Sequence, residues 1–253
     1  MYKNGAVVYF SGTGNTKHVA KLFKDRFEKE SIEVDLIDTS KSSKIDNEYD
    51  FYIFGCPIYA GMMPSIFINW IKNNFKNQPK KCVVYSTLGD ESDKNGRLHL
   101  SKILIKKGFD VVVDKAVQMP NNYYHTMFKR QSDEEMISII NLAPDKVDDI
   151  VSNFLEMKRS NINYKKSTLS GSFIYSGFEI YAKGFAKRSF SVDKKSCIHC
   201  KICERDCPSN NIKIEDENIT FGKNCVSCLK CIHRCPKNAI LYKNKKLEQY
   251  NIL

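Results

Sequence analysis

Residues 5–16 of the chain read Gly-Ala-Val-Val-Tyr-Phe-Ser-Gly-Thr-Gly-Asn-Thr. The first half, Gly5–Phe10, is a short apolar run, which is typical of a strand buried on both faces of a parallel sheet. The second half, Ser11–Thr16, combines two glycines with hydroxyl and amide side chains. Apolar residues then recur at helical spacing, at Val19, Ala20, Leu22, Phe23 and Phe27. The stretch therefore predicts a strand, a glycine-rich loop and a helix N-terminus in succession.

A loop of this kind binds phosphate, because glycines let backbone N–H groups approach and the positive end of the helix dipole completes the site. It is not a Walker motif, and residue 17 is lysine where the dinucleotide fingerprint needs glycine. The alternative is a β–α turn without a ligand. The hydroxyl and amide side chains favour a phosphate site.

The chain continues with alternating strand and helix patterns. Further strands are predicted at Glu33–Ile37, Asp50–Gly55, Cys82–Ser86 and Phe109–Val117. Helices are predicted at Met63–Phe75, Arg97–Lys107 and Ala143–Met157. This alternation predicts an α/β fold, a doubly wound sheet of five parallel strands. Ligands of such sheets lie beyond the carboxyl ends of the strands, next to Ser11–Thr16, Cys56–Met63 and Thr87–Asn95.

Over roughly residues 1–119, and weakly to 159, the chain resembles the flavodoxins. The resemblance implies strand order 2-1-3-4-5 and FMN as the cofactor. It implies that the FMN phosphate binds to Ser11, Gly12, Thr13, Gly14, Asn15 and Thr16. It also implies that Pro57, Ile58, Tyr59, Ala60 and Gly61 border one side of the flavin ring, and Thr87, Leu88 and Gly89, followed by Asp90, the other side. Tyr59 is the only aromatic residue in these loops.

Eight of the ten cysteines form two matching runs, each followed by proline. The first is Cys197-x2-Cys200-x2-Cys203-x3-Cys207-Pro208, and the second repeats it at Cys225, Cys228, Cys231, Cys235 and Pro236. In a doubled run, the fourth cysteine of each half ligates the cluster of the other half. The pattern therefore predicts two [4Fe–4S] clusters, one held by Cys197, Cys200, Cys203 and Cys235, the other by Cys225, Cys228, Cys231 and Cys207.

Zinc and disulfides are the alternatives for these cysteines. A zinc ribbon needs two cysteines per knuckle, so the third cysteine of each run would be spare. Disulfides are disfavoured because no signal peptide or long apolar stretch is found in the sequence, so we expect a reducing cytoplasm. Roughly Phe190–Tyr242 resembles the bacterial two-cluster ferredoxins, which implies a small α+β domain of short hairpins. Strands are expected at Ile212–Ile214, Ile219–Phe221 and Ala239–Leu241.

Some residues near these motifs have two interpretations. His199 and His233 occupy variable positions of the runs and are interpreted as exposed spacers rather than ligands. Cys56 and Cys82 are interpreted as buried inert thiols, with a redox role for Cys56 as the alternative. Met119–His125 follows the last predicted strand, as a connection or as the wall of a substrate pocket.

We expect a flavin-binding domain at 1–160, a linker at 161–189 and a two-cluster domain at 190–253. Phe173–Phe190 is predicted to form one amphipathic helix in the linker. A helix that packs the two domains together is favoured over one that lies on a membrane surface.

The formal net charge of +11 first suggests nucleic acid or an acidic surface as partner. Two oxidised clusters and an FMN phosphate would lower the charge to about +5. Lysines are scattered, apart from Lys165–Lys166 and Lys243–Lys246. We therefore expect no nucleic-acid binding and no membrane span, and a redox partner protein instead, such as an acidic ferredoxin or an oxidoreductase. Whether the chain forms a homodimer stays open.

The leading hypothesis is an electron-transfer protein that passes electrons between two [4Fe–4S] clusters and FMN. The chain resembles the flavodoxin–ferredoxin fusion proteins of clostridia and related anaerobes, which implies an anaerobic setting. An alternative is a ferredoxin-dependent flavin reductase acting on a small organic acceptor. A third is a redox or oxygen sensor.

Overall fold

The computed structural model describes residues 2–89, 95–125, 128–165 and 169–251. Asp90, expected beside the flavin ring, lies outside the described residues. The chain forms two compact units. One, which we call the sheet unit, comprises Met1–Pro120 and Ser132–Tyr175, and the other, the cysteine unit, comprises Asn121–Gln131 and Ser176–Leu253. The segment 121–131, expected in the first domain, thus belongs to the second compact unit.

The sheet unit contains a five-stranded, all-parallel sheet. Its strands are β1 (Asn4–Tyr9), β2 (Glu33–Asp38), β3 (Phe51–Pro57), β4 (Lys81–Leu88) and β5 (Asp110–Gln118). Their order is β2-β1-β3-β4-β5, and Gly5 of β1 lies opposite both Val34 and Phe51. The predicted doubly wound sheet and strand order are confirmed. Because β2 and β3 flank β1 on opposite sides, the switch point of the sheet lies at the carboxyl end of β1.

Helices pack against the sheet. Successive side chains of each strand point to opposite faces of the sheet and therefore contact different helices. The helices are α1 (Asn15–Lys29), α2 (Ser65–Asn74), α3 (Asn95–Lys106), α4 (Asp133–Asn141) and α5 (Ala143–Leu155). Phe51 and Ile53 join the core under α1 and α5. Tyr52 and Phe54 point the other way, and the Phe54 ring lies 5.3 Å from that of Phe109. This two-sided burial is the reason that the strands read as continuous apolar runs.

Helix α4 is absent from the sequence prediction. Ser132 accepts a hydrogen bond from the Glu135 backbone N–H at 3.2 Å, and the Glu135 carboxylate accepts one from the Ser132 N–H at 2.8 Å. This reciprocal pair is a capping box, whose sequence signature is a serine followed three residues later by glutamate. The signal for the start of α4 was therefore present in the sequence.

The prediction of one continuous helix at Phe173–Phe190 is wrong, because the structure has two helices there. They are α6 (Leu169–Ala182) and α7 (Phe185–Ser189). Gly184 separates them with φ of 79°, a left-handed conformation that glycine adopts at little cost. Among the residues that the structure describes, no helix is both long and apolar enough to cross a bilayer.

The cysteine unit is built as two similar halves. Its strands are β6 (Phe190–Val192), β7 (Ile212–Glu215), β8 (Asn218–Phe221) and β9 (Ile240–Tyr242), and its short helices are α8 (Ile202–Arg205) and α9 (Lys230–His233). The expected pair β7–β8 is present, and the last strand β9 pairs with β6. Helix α9 begins as many residues after α8 as Cys225 lies after Cys197, and β9 begins at the same distance after β7. The sequence repeat is therefore also a structural repeat.

Candidate functional site

Loop 1 (Ser11–Thr16) follows β1 at the switch point of the sheet. Gly14 precedes α1 with φ of 130°, which a residue with a side chain rarely adopts. The Lys17 N–H donates to Ser11 Oγ at 3.3 Å, and the first turn of α1 contains no acidic residue. The first turn of α1 therefore contributes no carboxylate that would compete with an anion at its positive end.

Two side chains of loop 1 fasten it to neighbouring strands. The Thr16 hydroxyl lies 2.7 Å from that of Thr87, and Asn15 Nδ2 donates to the Pro120 carbonyl at 2.8 Å. Thr16 and Asn15 are both buried. Their polar groups therefore connect loop 1 to the ends of β4 and β5, which leaves Thr13 and Gly14 half-buried at the tip.

A further support of loop 1 was missed in the sequence. Tyr85 on β4 is fully buried, and its hydroxyl donates to the Thr16 carbonyl at 3.1 Å. The ring fits there because Gly55 on β3 has no side chain, since a Cβ at position 55 would lie 1.9 Å from the Tyr85 Cζ. A glycine inside an apolar strand is a signal for such a close approach.

Loop 2 (Pro57–Gly61) makes a tight turn beyond β3. Tyr59 and Met62 exchange two backbone hydrogen bonds, of 2.8 Å and 3.1 Å. Ala60 and Gly61 between them have φ of 47° and 80°, so both central residues of the turn are left-handed. Loop 2 is held to loop 3 (Thr87–Gly89), because the Ile58 N–H donates to the Thr87 carbonyl at 3.1 Å. The three predicted loops thus lie together at one edge of the sheet.

The eight cysteines of the runs line two separate cavities. Three cysteines from one run and the fourth from the other run line each cavity. The first contains Cys197, Cys200, Cys203 and Cys235, together with Ile202 and Ile240 among its aliphatic neighbours. The second contains Cys207, Cys225, Cys228 and Cys231, beside Ile212 and Leu229. These are the two groups of four that the doubled pattern predicts.

Backbone groups point at several of these sulfurs. The N–H groups of Asn211, Ser227 and Ala239 each donate at 3.2 Å, to Cys207, Cys225 and Cys235 respectively. Hydrogen bonds of this kind stabilise negative charge on sulfur. Burial acts in the opposite direction and raises the pKa of Cys228 to about 12. A positively charged metal centre is what would hold such buried sulfurs as thiolates.

The backbone of each run is bent at equivalent positions. His199 and Lys201 flank Cys200, and Ser227 and Leu229 flank Cys228, all with φ between 51° and 59°. Residues with side chains rarely adopt this left-handed conformation, and it persists where the surrounding structure requires it. Each bend turns successive cysteines toward the same cavity.

His233 corrects one expectation, because it is buried rather than exposed. Its Nδ1 accepts from the Tyr250 N–H at 3.0 Å, so its Nε2 carries the proton that is donated to the Asn122 carbonyl at 3.1 Å. His199 is half-buried. Both partners of His233 are distant in sequence, which is why the run alone gave no sign of this role.

The stretch Met119–His125 divides between the two compact units. Met119 is buried in the sheet unit and its N–H donates to the Leu88 carbonyl at 2.9 Å. Residues 121–125 belong to the cysteine unit, where the Tyr123 hydroxyl lies 2.7 Å from that of Ser227. This stretch therefore contacts a residue of the second cysteine run, which the interpretation as a pocket wall did not anticipate.

Cys56 and Cys82 are fully buried in the sheet unit. Burial raises the pKa of both thiols well above the ordinary value. A protonated, inaccessible thiol is a poor nucleophile, which favours the inert interpretation over a redox role.

Together, the phosphate-type loop on a doubly wound sheet and the two four-cysteine cavities define an electron-transfer protein with flavin and iron–sulfur sites. The flavodoxin domain family matches residues 6–132, and the 4Fe-4S dicluster domain family matches residues 186–240. The chain belongs to the flavodoxin domain family and carries a ferredoxin-type domain after it, as in a flavodoxin–ferredoxin fusion.

Several solved structures are similar to part of this chain. Rubredoxin oxygen:oxidoreductase from the anaerobe Desulfovibrio gigas is 13% identical, with 60% of this chain and 37% of that chain covered and a TM-score of 0.39. The flavodiiron core of Flv1 from Synechocystis sp. PCC6803 is 16% identical over 62% and 37% of the two chains, with a TM-score of 0.42. A flavodoxin from the domain Archaea is 16% identical over 58% and 99%, with a TM-score of 0.39. The alignment thus spans little more than a third of the first two proteins. The search of curated proteins found no match to the chain.

Proposed function

We propose that this protein transfers electrons between two [4Fe–4S] clusters and one FMN bound by the same chain. The observation that carries the proposal is the grouping of eight cysteines into two cavities, each with three residues of one run and the fourth of the other. The proposed ligands are Cys197, Cys200, Cys203 and Cys235 for one cluster, and Cys207, Cys225, Cys228 and Cys231 for the other.

The proposed flavin site lies at the three loops of the sheet unit. Loop 1, residues Ser11–Thr16, binds the FMN phosphate in this proposal, through backbone N–H groups and the positive end of α1. Pro57–Gly61 and Thr87–Gly89 border the flavin ring, with Tyr59 as the aromatic contact. A flavin can exchange one or two electrons, whereas a [4Fe–4S] cluster exchanges one, so the flavin is where the two kinds of chemistry meet.

The proposed domains are a flavin domain at 1–160 and a two-cluster domain at 190–253, joined by 161–189. Residues 121–131 lie within the proposed first domain in sequence but belong to the second compact unit. A cytoplasmic location and an acidic redox partner remain part of the proposal. The partner is inferred from the formal charge of +11, which the cofactors reduce only in part.

The cofactor content of the anaerobically purified protein tests the proposal. We expect about eight iron and eight acid-labile sulfide per chain, together with one FMN released on denaturation. Zinc without acid-labile sulfide would contradict the cluster assignment. An iron content near four would contradict the count of two clusters.

A further inference from the structure

The cysteine unit contains a third cavity, distinct from the two that the cysteines line. Its volume is about 480 Å³, which lies within the range of small-molecule sites. None of the eight run cysteines lines it. The described residues around it are His125, Tyr181, Tyr242, Lys243, Lys245 and Leu247.

Aromatic rings form one part of the cavity wall. Tyr242 is buried, and its ring meets the His125 ring edge-on at 4.8 Å. Tyr181 on α6 is 45% exposed, so part of its ring is accessible from solvent. Flat aromatic walls of this kind suit a planar ligand, which stacks on a ring or meets its edge.

Two lysines at a hairpin turn give the cavity its charge. Tyr242 and Lys245 exchange backbone hydrogen bonds of 2.9 Å and 3.0 Å around the turn residues Lys243 and Asn244. Lys243 has φ of 47°, a conformation that costs free energy for a residue with a side chain. Its Nζ lies 5.3 Å from the centre of the Tyr242 ring. Both ammonium groups are thus carried by a short, fixed turn beside an aromatic wall.

Lys243 and Lys245 are the charged residues in the described lining of the cavity. The described residues that line it include no acid. The neighbouring Glu248 makes an ion pair with Arg130 at 3.2 Å. The described lining of the cavity therefore carries net positive charge.

An unsatisfied polar atom lies in the same wall. His125 Nε2 is buried and has no hydrogen-bond partner among the residues that the structure describes. A buried polar atom without a partner costs free energy, which a ligand that hydrogen-bonds to it would recover.

We propose that this cavity binds a planar aromatic anion, with its ring against Tyr181 and Tyr242 and its phosphate or carboxylate at Lys243 and Lys245. The proposal concerns binding alone and goes beyond the electron-transfer function. It stands or falls independently of that function.

The cavity is connected to one cysteine of the second run through a short series of contacts. The His125 ring lies 4.4 Å from the Tyr123 ring, and the Tyr123 hydroxyl lies 2.7 Å from Ser227 Oγ. The Ser227 N–H in turn donates to Cys225 Sγ at 3.2 Å. A ligand in the cavity therefore lies next to groups that surround a proposed cluster ligand.

Isothermal titration calorimetry under anaerobic conditions, on the protein with FMN at saturation, tests the proposal. The probes are AMP and 4-hydroxybenzoate, each compared with its neutral counterpart, adenosine and 4-hydroxybenzyl alcohol. We expect at least one anion to bind about tenfold or more tightly than its neutral counterpart. AMP alone would identify a phosphate ligand, and 4-hydroxybenzoate alone a carboxylate.

Variants locate the binding. Lys245→Gln and Tyr181→Leu should each weaken binding of the preferred anion about tenfold. Lys223→Gln, which removes an exposed lysine of the same unit outside the cavity, should leave it unchanged. Far-UV circular dichroism and iron content confirm that each variant is folded. The proposal is overturned if neither anion binds better than its neutral counterpart, or if both cavity variants bind as the parent does.

Discussion

At the scale of single residues, the backbone of loop 2 depends on one glycine. Gly61 has φ of 80°, and a Cβ at this position would meet no atom of the described residues within 4 Å. The cost of a side chain there is therefore backbone strain alone, about 1–3 kcal/mol. Its neighbour Ala60 already has a left-handed φ of 47°.

We expect Gly61→Val to raise the FMN dissociation constant about tenfold, because strain at the turn would move loop 2 away from the proposed position of the flavin ring. Ala60→Gly is the matched control and should keep the parent affinity, since glycine adopts the same backbone without strain. Titration of the FMN-free protein, followed by quenching of flavin fluorescence, measures both values. An unchanged affinity in Gly61→Val would mean that loop 2 does not contact the flavin.

The cysteine assignment makes a residue-scale prediction of its own, because each cavity takes its fourth cysteine from the other run. Cys207→Ser combined with Cys225→Ser should damage one cluster and leave about four irons. Cys207→Ser combined with Cys197→Ser should damage both clusters, because these residues line different cavities. Iron analysis and electron paramagnetic resonance of the reduced proteins distinguish the pairs. The opposite outcome would mean that each run holds its own cluster.

At the scale of elements, a buried ion pair fixes α3 to the sheet. Arg97 on α3 donates to Asp114 on β5 at 2.6 Å, and to Ser86 on β4 at 2.9 Å. Ser101, one turn further along α3, donates to the other carboxylate oxygen at 2.7 Å. The side chains of Arg97 and Asp114 are only 12% and 4% exposed, so both charges are largely shielded from water.

Arg97→Met should lower the free energy of unfolding of the sheet unit by about 3–5 kcal/mol, because the Asp114 carboxylate would remain buried without its cation. The double variant Arg97→Met with Asp114→Leu should recover most of that loss, since both charges are then removed. Unfolding in guanidinium, monitored by the release of FMN, measures the free energy of unfolding of the three proteins. A double variant no more stable than Arg97→Met would show that the pair itself, rather than the unpaired charge, determines stability.

The elements also show how far the sequence predicts the fold. The strands and the three loops follow from local patterns, because strands buried on both faces are continuous apolar runs and Ser11–Thr16 joins one to a helix. Helix α4 had a local signal as well, in Ser132 and Glu135, that the prediction did not use. The break between α6 and α7 depends on the conformation of Gly184, which its sequence context does not specify.

At the scale of the whole molecule, the contacts that prediction missed are those between residues distant along the chain. His233 was expected at the surface, but Asn122 and Tyr250 cover it. The burial of Tyr85 against Gly55 and the contact of Tyr123 with Ser227 are of the same kind. Apolar periodicity and cysteine spacing are local patterns, so they predict elements and ligand sets. Contacts between residues distant along the chain depend on the tertiary fold.

At this scale, we expect the clusters and the flavin to exchange electrons within one molecule. Anaerobic stopped-flow mixing with a substoichiometric amount of reduced ferredoxin tests it most directly, with cluster and flavin absorbance followed separately. We expect the clusters to be reduced first and the flavin afterwards, at a rate that does not change when the protein is diluted. Flavin reduction that slows in proportion to dilution, or a flavin that stays oxidised beside reduced clusters, would contradict the account.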